Sequence, residues 1–118
     1  MDFINNELVR VDCRKLFIDQ IDNAAEEIFL NIINYAYKSV NGDVMISISA
    51  GGDEAEIRFE DTGIPFDPLK LPDPDLSNHL EDQKKGGLGV FIVKKLMDKV
   101  DYKRTGEKNI LTIVKKIK

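Results

Sequence analysis

The sequence predicts an α+β fold, a two-layer α/β sandwich whose helices cover one face of an antiparallel or mixed sheet. Three observations carry that expectation. Apolar residues recur at helical spacing over residues 3–11, 16–37 and 88–99, and alternate at strand spacing over 44–60 and 100–117. Each alternating region is split by a short Gly-containing turn, which reads as a hairpin. Single strands do not alternate with helices, so a doubly wound parallel sheet does not fit. With 118 residues, 42% of them hydrophobic, the chain is expected to form one domain around one core.

Element by element, Phe3, Ile4, Leu8 and Val11 mark a short amphipathic helix. Phe17, Ile21, Ala24, Ile28, Ile32 and Tyr35 form the apolar stripe of a longer one from Leu16 to Tyr37. Asn41-Gly42-Asp43 is its stop signal. Val44, Ile46 and Ile48 then alternate with Met45, Ser47 and Ser49. After Gly51-Gly52-Asp53, Ala55, Ile57 and Phe59 alternate with Glu56, Arg58 and Glu60. Residues 62–87 are irregular and carry Pro65, Pro68, Pro72 and Pro74. Connections longer than about 12–15 residues are usually functional or disordered. A third helix runs from Leu88 to Lys99, and a second hairpin follows, Val100–Arg104 and Asn109–Ile117.

Composition removes several classes of function. Seventeen Lys+Arg against 21 Asp+Glu leave a net charge of −4, which weighs against electrostatic nucleic-acid binding. A single cysteine, Cys13, and a single histidine, His79, make neither a disulfide framework nor a Cys/His zinc site. Apolar runs are too short to span a membrane, and Asp2, Asn5, Asn6 and Glu7 break any signal-peptide core. The expectation is a cytoplasmic protein that binds neither nucleic acid nor membrane.

Chemistry has three places to sit. Glu27, Asn31, Asn34 and Lys38 follow i, i+4, i+7 and i+11 along one helix face. That face suits plain solvation. The sharper alternative is a hard-cation site, since an amide oxygen serves Mg²⁺ and a carboxylate one turn away can take a proton. Asp61-Thr62-Gly63-Ile64-Pro65-Phe66-Asp67-Pro68 ends a strand. It has turn composition, but a strand-end Asp can also accept from an exocyclic amine, with Gly63 letting a flat base approach. Gly86-Gly87-Leu88-Gly89 opens a helix behind Lys84 and Lys85. Glycines there serve helix entry, or leave N–H groups open to phosphate. No Walker A or Gly-x-Gly-x-x-Gly pattern is present.

Together these segments resemble the GHKL (Bergerat-fold) ATP-binding family. Glu27-Ile28-Phe29-Leu30-Asn31 looks like its N box, Asp61-Thr62-Gly63 its G1 box, and Gly86-Gly87-Leu88-Gly89 its G2 box. The run Glu26–Tyr37, Pro65-Phe66-Asp67-Pro68, Gly86–Asp98 and Asn109-Ile110-Leu111-Thr112 are similar to the RsbW-type branch, the anti-sigma-factor serine kinases. The resemblance implies a Bergerat-type sandwich binding ATP and Mg²⁺. In it Asn31 holds Mg²⁺ against the phosphates and Glu27 is the general base on a serine or a water. Asp61 binds the adenine amino group, Gly63 borders the base, and Gly87 and Gly89 meet the phosphates. Residues 69–85 form an ATP lid. The wider nucleotide-binding set takes in Asn34, Lys38, Phe66, Lys85, Gly86, Leu88 and Thr112. Phosphoryl transfer depends mostly on positioning and charge neutralisation, so this sparse set suffices chemically.

The implied function is a serine-protein kinase acting on an anti-sigma-factor antagonist and binding a sigma factor, with a homodimer compatible. A non-catalytic module keeping the fold is the alternative, and a histidine-kinase catalytic domain the third. Pro65 replaces the second glycine of the usual Asp-x-Gly-x-Gly, and Gln83-Lys84-Lys85 stand where many relatives carry a lid arginine. Relatives begin with a further strand, so the chain is expected to lack it and leave a sheet edge exposed. His79 reads as a solvated loop residue. Cys13, Phe17, Phe29, Tyr35, Tyr37 and Phe91 read as packing residues, while Phe66 either caps the core or borders the nucleotide.

Overall fold

A computed structural model describes residues 2–36, 42–70 and 87–118. Helix α1 (Asp2–Arg10) turns into α2 (Lys15–Asn31) at Asp12, which takes the left-handed conformation, φ 58°. That geometry lets Cys13 N donate to Leu8 O and close the end of α1. Strands β1 (Val44–Gly51) and β2 (Glu54–Asp61) form the first hairpin. Helix α3 (Gly87–Leu96) leads to the second, β3 (Lys99–Thr105) and β4 (Lys108–Lys116). The strands make one antiparallel sheet in the order β1-β2-β4-β3.

Both hairpins match the alternation in the sequence. Gly52 and Gly106 supply the positive φ that their tight turns require. Alternation also decides what the sheet buries. Ala55, Ile57 and Phe59 of β2 and Leu111 and Ile113 of β4 point to the helices, meeting Ile4, Leu8, Ile21, Ala24, Ala25, Ile28 and Val93. Each such large side chain contributes about 1.5–3 kcal/mol on burial.

The long helix departs from the reading from Leu16 to Tyr37. Regular α-helix stops at Asn31, and Ile32–Ala36 form a π-helical turn. The wider turn changes the angular phase of everything after Asn31, so the i+7 relation to Asn34 no longer holds. Asn41 and Tyr37 lie outside the described residues. Helix α3 ends at Leu96 rather than Lys99, because Lys115 Nζ donates to Leu96 O and Asp98 N to Val114 O, turning the chain into β3. Among the described residues no helix is long and apolar enough to cross a membrane.

Candidate functional site

A recess opens where the end of α2 meets β2, β3 and β4, lined by Ile28, Asn31, Ala36, Asp61, Phe66 and Asn109 among others. It is narrow, with about the room of one water molecule at its centre. Its two polar ends differ in character.

At the strand end Asp61 is buried because it follows Ile57 and Phe59 in the inward phase of β2. Its Oδ1 accepts from Gly63 N at 2.9 Å and from Asn109 Nδ2 at 2.8 Å. Oδ2 accepts neither of these. Asn109 also donates to Ile64 O at 2.8 Å, and its own Oδ1 accepts from the Tyr102 hydroxyl and, at 3.4 Å, from Phe66 N. Arg104 Nη1 donates to Gly63 O at 2.9 Å. Burial, the largest cause, pushes the Tyr102 hydroxyl above its ordinary value, with Asp67 and Asp61 adding in the same direction. Gly63 has no room for a side chain: a Cβ there would lie 2.6 Å from Ala36 O, which accepts from Ile64 N. The Phe66 ring stacks on Tyr35 at 5.0 Å.

At the helix end Asn31 is 5% exposed. Its Nδ2 donates back to Glu27 O at 2.8 Å, while its Oδ1 is buried with no partner. Of the four such side-chain atoms among the described residues, it alone belongs to a residue lining the recess. A buried acceptor left bare costs about 1–3 kcal/mol, so its persistence points to a ligand that supplies the missing partner. Gly89 lies directly over this end. A Cβ on it would come within 2.3 Å of Glu27 Oε2 and 3.7 Å of Asn31 Nδ2.

The structure thus brings together Glu27, Asn31 and Gly89 at one end, and Asp61, Gly63 and Phe66 at the other. Gly87 and Leu88 begin α3, whose first N–H groups lack intrahelical partners. Asn34 is exposed on the π-helical turn and does not line the recess, a consequence of the altered helical phase. Thr112 does not join the site. It pairs with Arg58 and Asp101, one residue out of phase with buried Leu111 and Ile113, and so lies on the face turned away from the helices. Lys38, Lys85, Gly86, His79 and most of the 69–85 lid lie outside the described residues. In the sequence Asn109 stands out only as part of the run Asn109-Ile110-Leu111-Thr112, and Tyr102 and Arg104 carry no motif. One signal was present: Asn109 is the polar residue in the inward series 109, 111, 113 of β4.

Comparison with known proteins gives the chain's family. Residues 1–115 match the Histidine kinase-like ATPase domain family. Curated relatives include "Serine-protein kinase RsbW" of Halalkalibacterium halodurans, 36% identical over 90 residues, 73% of this chain and 55% of the relative. A protein of the same name from Bacillus cereus is 31% identical over 87 residues, 70% of this chain and 54% of the relative. The chain therefore spans about half the length of the curated relatives it matches. In fold it is similar to the Acinetobacter baumannii histidine kinase AdeS, with TM-score 0.53, 20% identity, and coverage of 84% of this chain and 46% of that one. The chain belongs to the Histidine kinase-like ATPase domain family.

Proposed function

We propose that this chain binds ATP with Mg²⁺ in the recess and transfers the γ-phosphate to a serine of an anti-sigma-factor antagonist, as an anti-sigma regulatory factor that also holds a sigma factor. The observation that carries the reading is the bare Asn31 Oδ1, buried one turn from Glu27 in the recess that also holds Asp61. An amide oxygen without a partner is a donor Mg²⁺ accepts, since that ion binds few protein ligands and keeps waters and phosphates. Bound there, Mg²⁺ would supply charge neutralisation for the phosphates.

The chain's own groups do the rest. Asp61 offers Oδ2 to the exocyclic amine of adenine, and Gly63, packed against the Ala36 backbone, donates the N–H that holds Oδ1. The recess must widen to admit a purine, and Phe66 on Tyr35 is the aromatic wall that meets it. Glu27 accepts the serine hydroxyl proton as that oxygen bonds to the γ-phosphorus and the β–γ bridging oxygen leaves with ADP. The names of the curated relatives support the serine-kinase assignment.

The test is incubation with labelled ATP, Mg²⁺ and candidate antagonist proteins, beside calorimetry with ADP. Phosphoserine on the antagonist is expected, with micromolar nucleotide affinity, roughly −8 kcal/mol. Glu27→Ala should abolish transfer and keep ADP binding. Binding without any transfer would leave the non-catalytic module standing; no nucleotide heat, unchanged by Asp61→Asn, would end the nucleotide reading.

A further inference from the structure

We infer that Asn109 is the positioning residue of base recognition: with Tyr102 it locks the Asp61 carboxylate so that Oδ2 alone faces the base, making the site select adenine over guanine. The inference rests on the nucleotide reading above. Asn109 is 4% exposed, and every polar position of its amide is occupied. Both hydrogens of Nδ2 are used, on Asp61 Oδ1 and on Ile64 O, each at 2.8 Å. Its oxygen accepts from Tyr102 and Phe66 N. An amide has two donors and two acceptor sites, so Asn109 has nothing left to offer a ligand. It acts through Asp61.

The partners also fix which way the amide points. Turned over, its oxygen would face a carboxylate oxygen and a carbonyl oxygen, and its NH₂ would face the Phe66 N–H. Asp61 is held in turn. Gly63 N and Asn109 Nδ2 converge on the same Oδ1, so the carboxylate cannot rotate without losing both bonds. Arg104 ties the turn in place through Gly63 O. A fixed Oδ2 accepts from an exocyclic amine and repels the carbonyl oxygen that guanine carries in its place. Buried polar groups matched to one hydrogen-bond pattern discriminate strongly against its inverse.

The experiment is calorimetric titration of Mg-ADP and Mg-GDP into the chain at pH 8, read as the ratio of their dissociation constants. The unsubstituted chain should favour ADP by about 100-fold or more. Asn109→Asp keeps the size but puts an acceptor where Asp61 needs a donor, and the ratio should fall by about tenfold or more. Tyr102→Phe removes only the bond that orients the amide, and a fall of about threefold is expected. Partial unfolding lowers both affinities in proportion and leaves the ratio alone, so the ratio reports positioning rather than stability. A folded variant of either kind with the unsubstituted ratio overturns the inference; if Asn109→Asp does not fold, Tyr102→Phe decides by the same criterion. Equal binding of ADP and GDP by the unsubstituted chain also overturns it and leaves nucleotide binding intact. Binding of neither defeats the nucleotide reading itself, and this inference with it.

Discussion

Asp61 and Asn31 are both buried polar side chains on one recess, 4% and 5% exposed, yet their surroundings are opposites. Around Asp61, Asn109, Tyr102, Gly63 and Arg104 form a connected set of hydrogen bonds reaching from β2 to β4, β3 and the turn after β2. Around Asn31 one amide oxygen is bare, and the side chain's nitrogen donates back to the Glu27 carbonyl of the same helix. The first region is tied together by the protein's own hydrogen bonds. The second keeps an acceptor that no group of the protein meets. A satisfied network stiffens a site, whereas an orphaned acceptor stores a cost that binding relieves.

The glycines of the two regions give the largest contrast. Gly63→Ala should cost about 3 kcal/mol, because the new methyl would meet the Ala36 backbone rather than a movable side chain. Thermal or urea unfolding checks it. Gly89→Ala meets only the far end of Glu27, and helix position favours Ala over Gly by about 1 kcal/mol, so stability should hold. Phosphoryl transfer should nonetheless fall by about tenfold or more, since the displaced carboxylate is the proposed base. Equal stability losses at both glycines would erase the distinction between a rigid and an adaptable end.

A smaller effect has the opposite sign to most core substitutions. Asn31→Leu removes the bare oxygen at similar volume, so the ligand-free protein should gain about 1 kcal/mol in unfolding free energy. Mg²⁺-dependent nucleotide binding should disappear in the same variant. A destabilised ligand-free protein would show that Asn31 Oδ1 is not the orphan that the geometry describes.

The smallest expected effect is alkaline. Burial raises the Tyr102 hydroxyl above its ordinary value, so the folded state holds that proton more tightly than the unfolded chain. The contribution to stability is therefore complete below the unfolded pKa, about 10, and is lost as pH rises through the higher folded value. Ultraviolet titration of tyrosinate should show one late-titrating group that Tyr102→Phe abolishes. A normal titration at Tyr102 would mean that the network is open to solvent.

Much of this was legible in residue order. The two hairpins and the inward series Ile57, Phe59, Asp61 followed from period-two alternation, which a sheet with one buried face imposes. Glu27 and Asn31 followed from i, i+4 spacing, which holds as long as the helix stays regular. Asn34 was lost where the π-helical turn begins, because a change of helical pitch leaves no mark in apolar spacing. Thr112 was chosen by resemblance of a short run, and the strand register set it on the other face while bringing Asn109, three residues earlier, to Asp61.

The sequence by itself therefore determined the element order, the antiparallel hairpins, the core and the types of residue a nucleotide and a cation need. Those follow from local periodicity and side-chain chemistry. Only the tertiary structure decided that two donors converge on one oxygen of Asp61, and that Asn31 is buried with its acceptor bare. The first depends on Asn109, 48 positions away, and hydrogen-bond saturation is a property of three-dimensional neighbours that no spacing along the chain encodes.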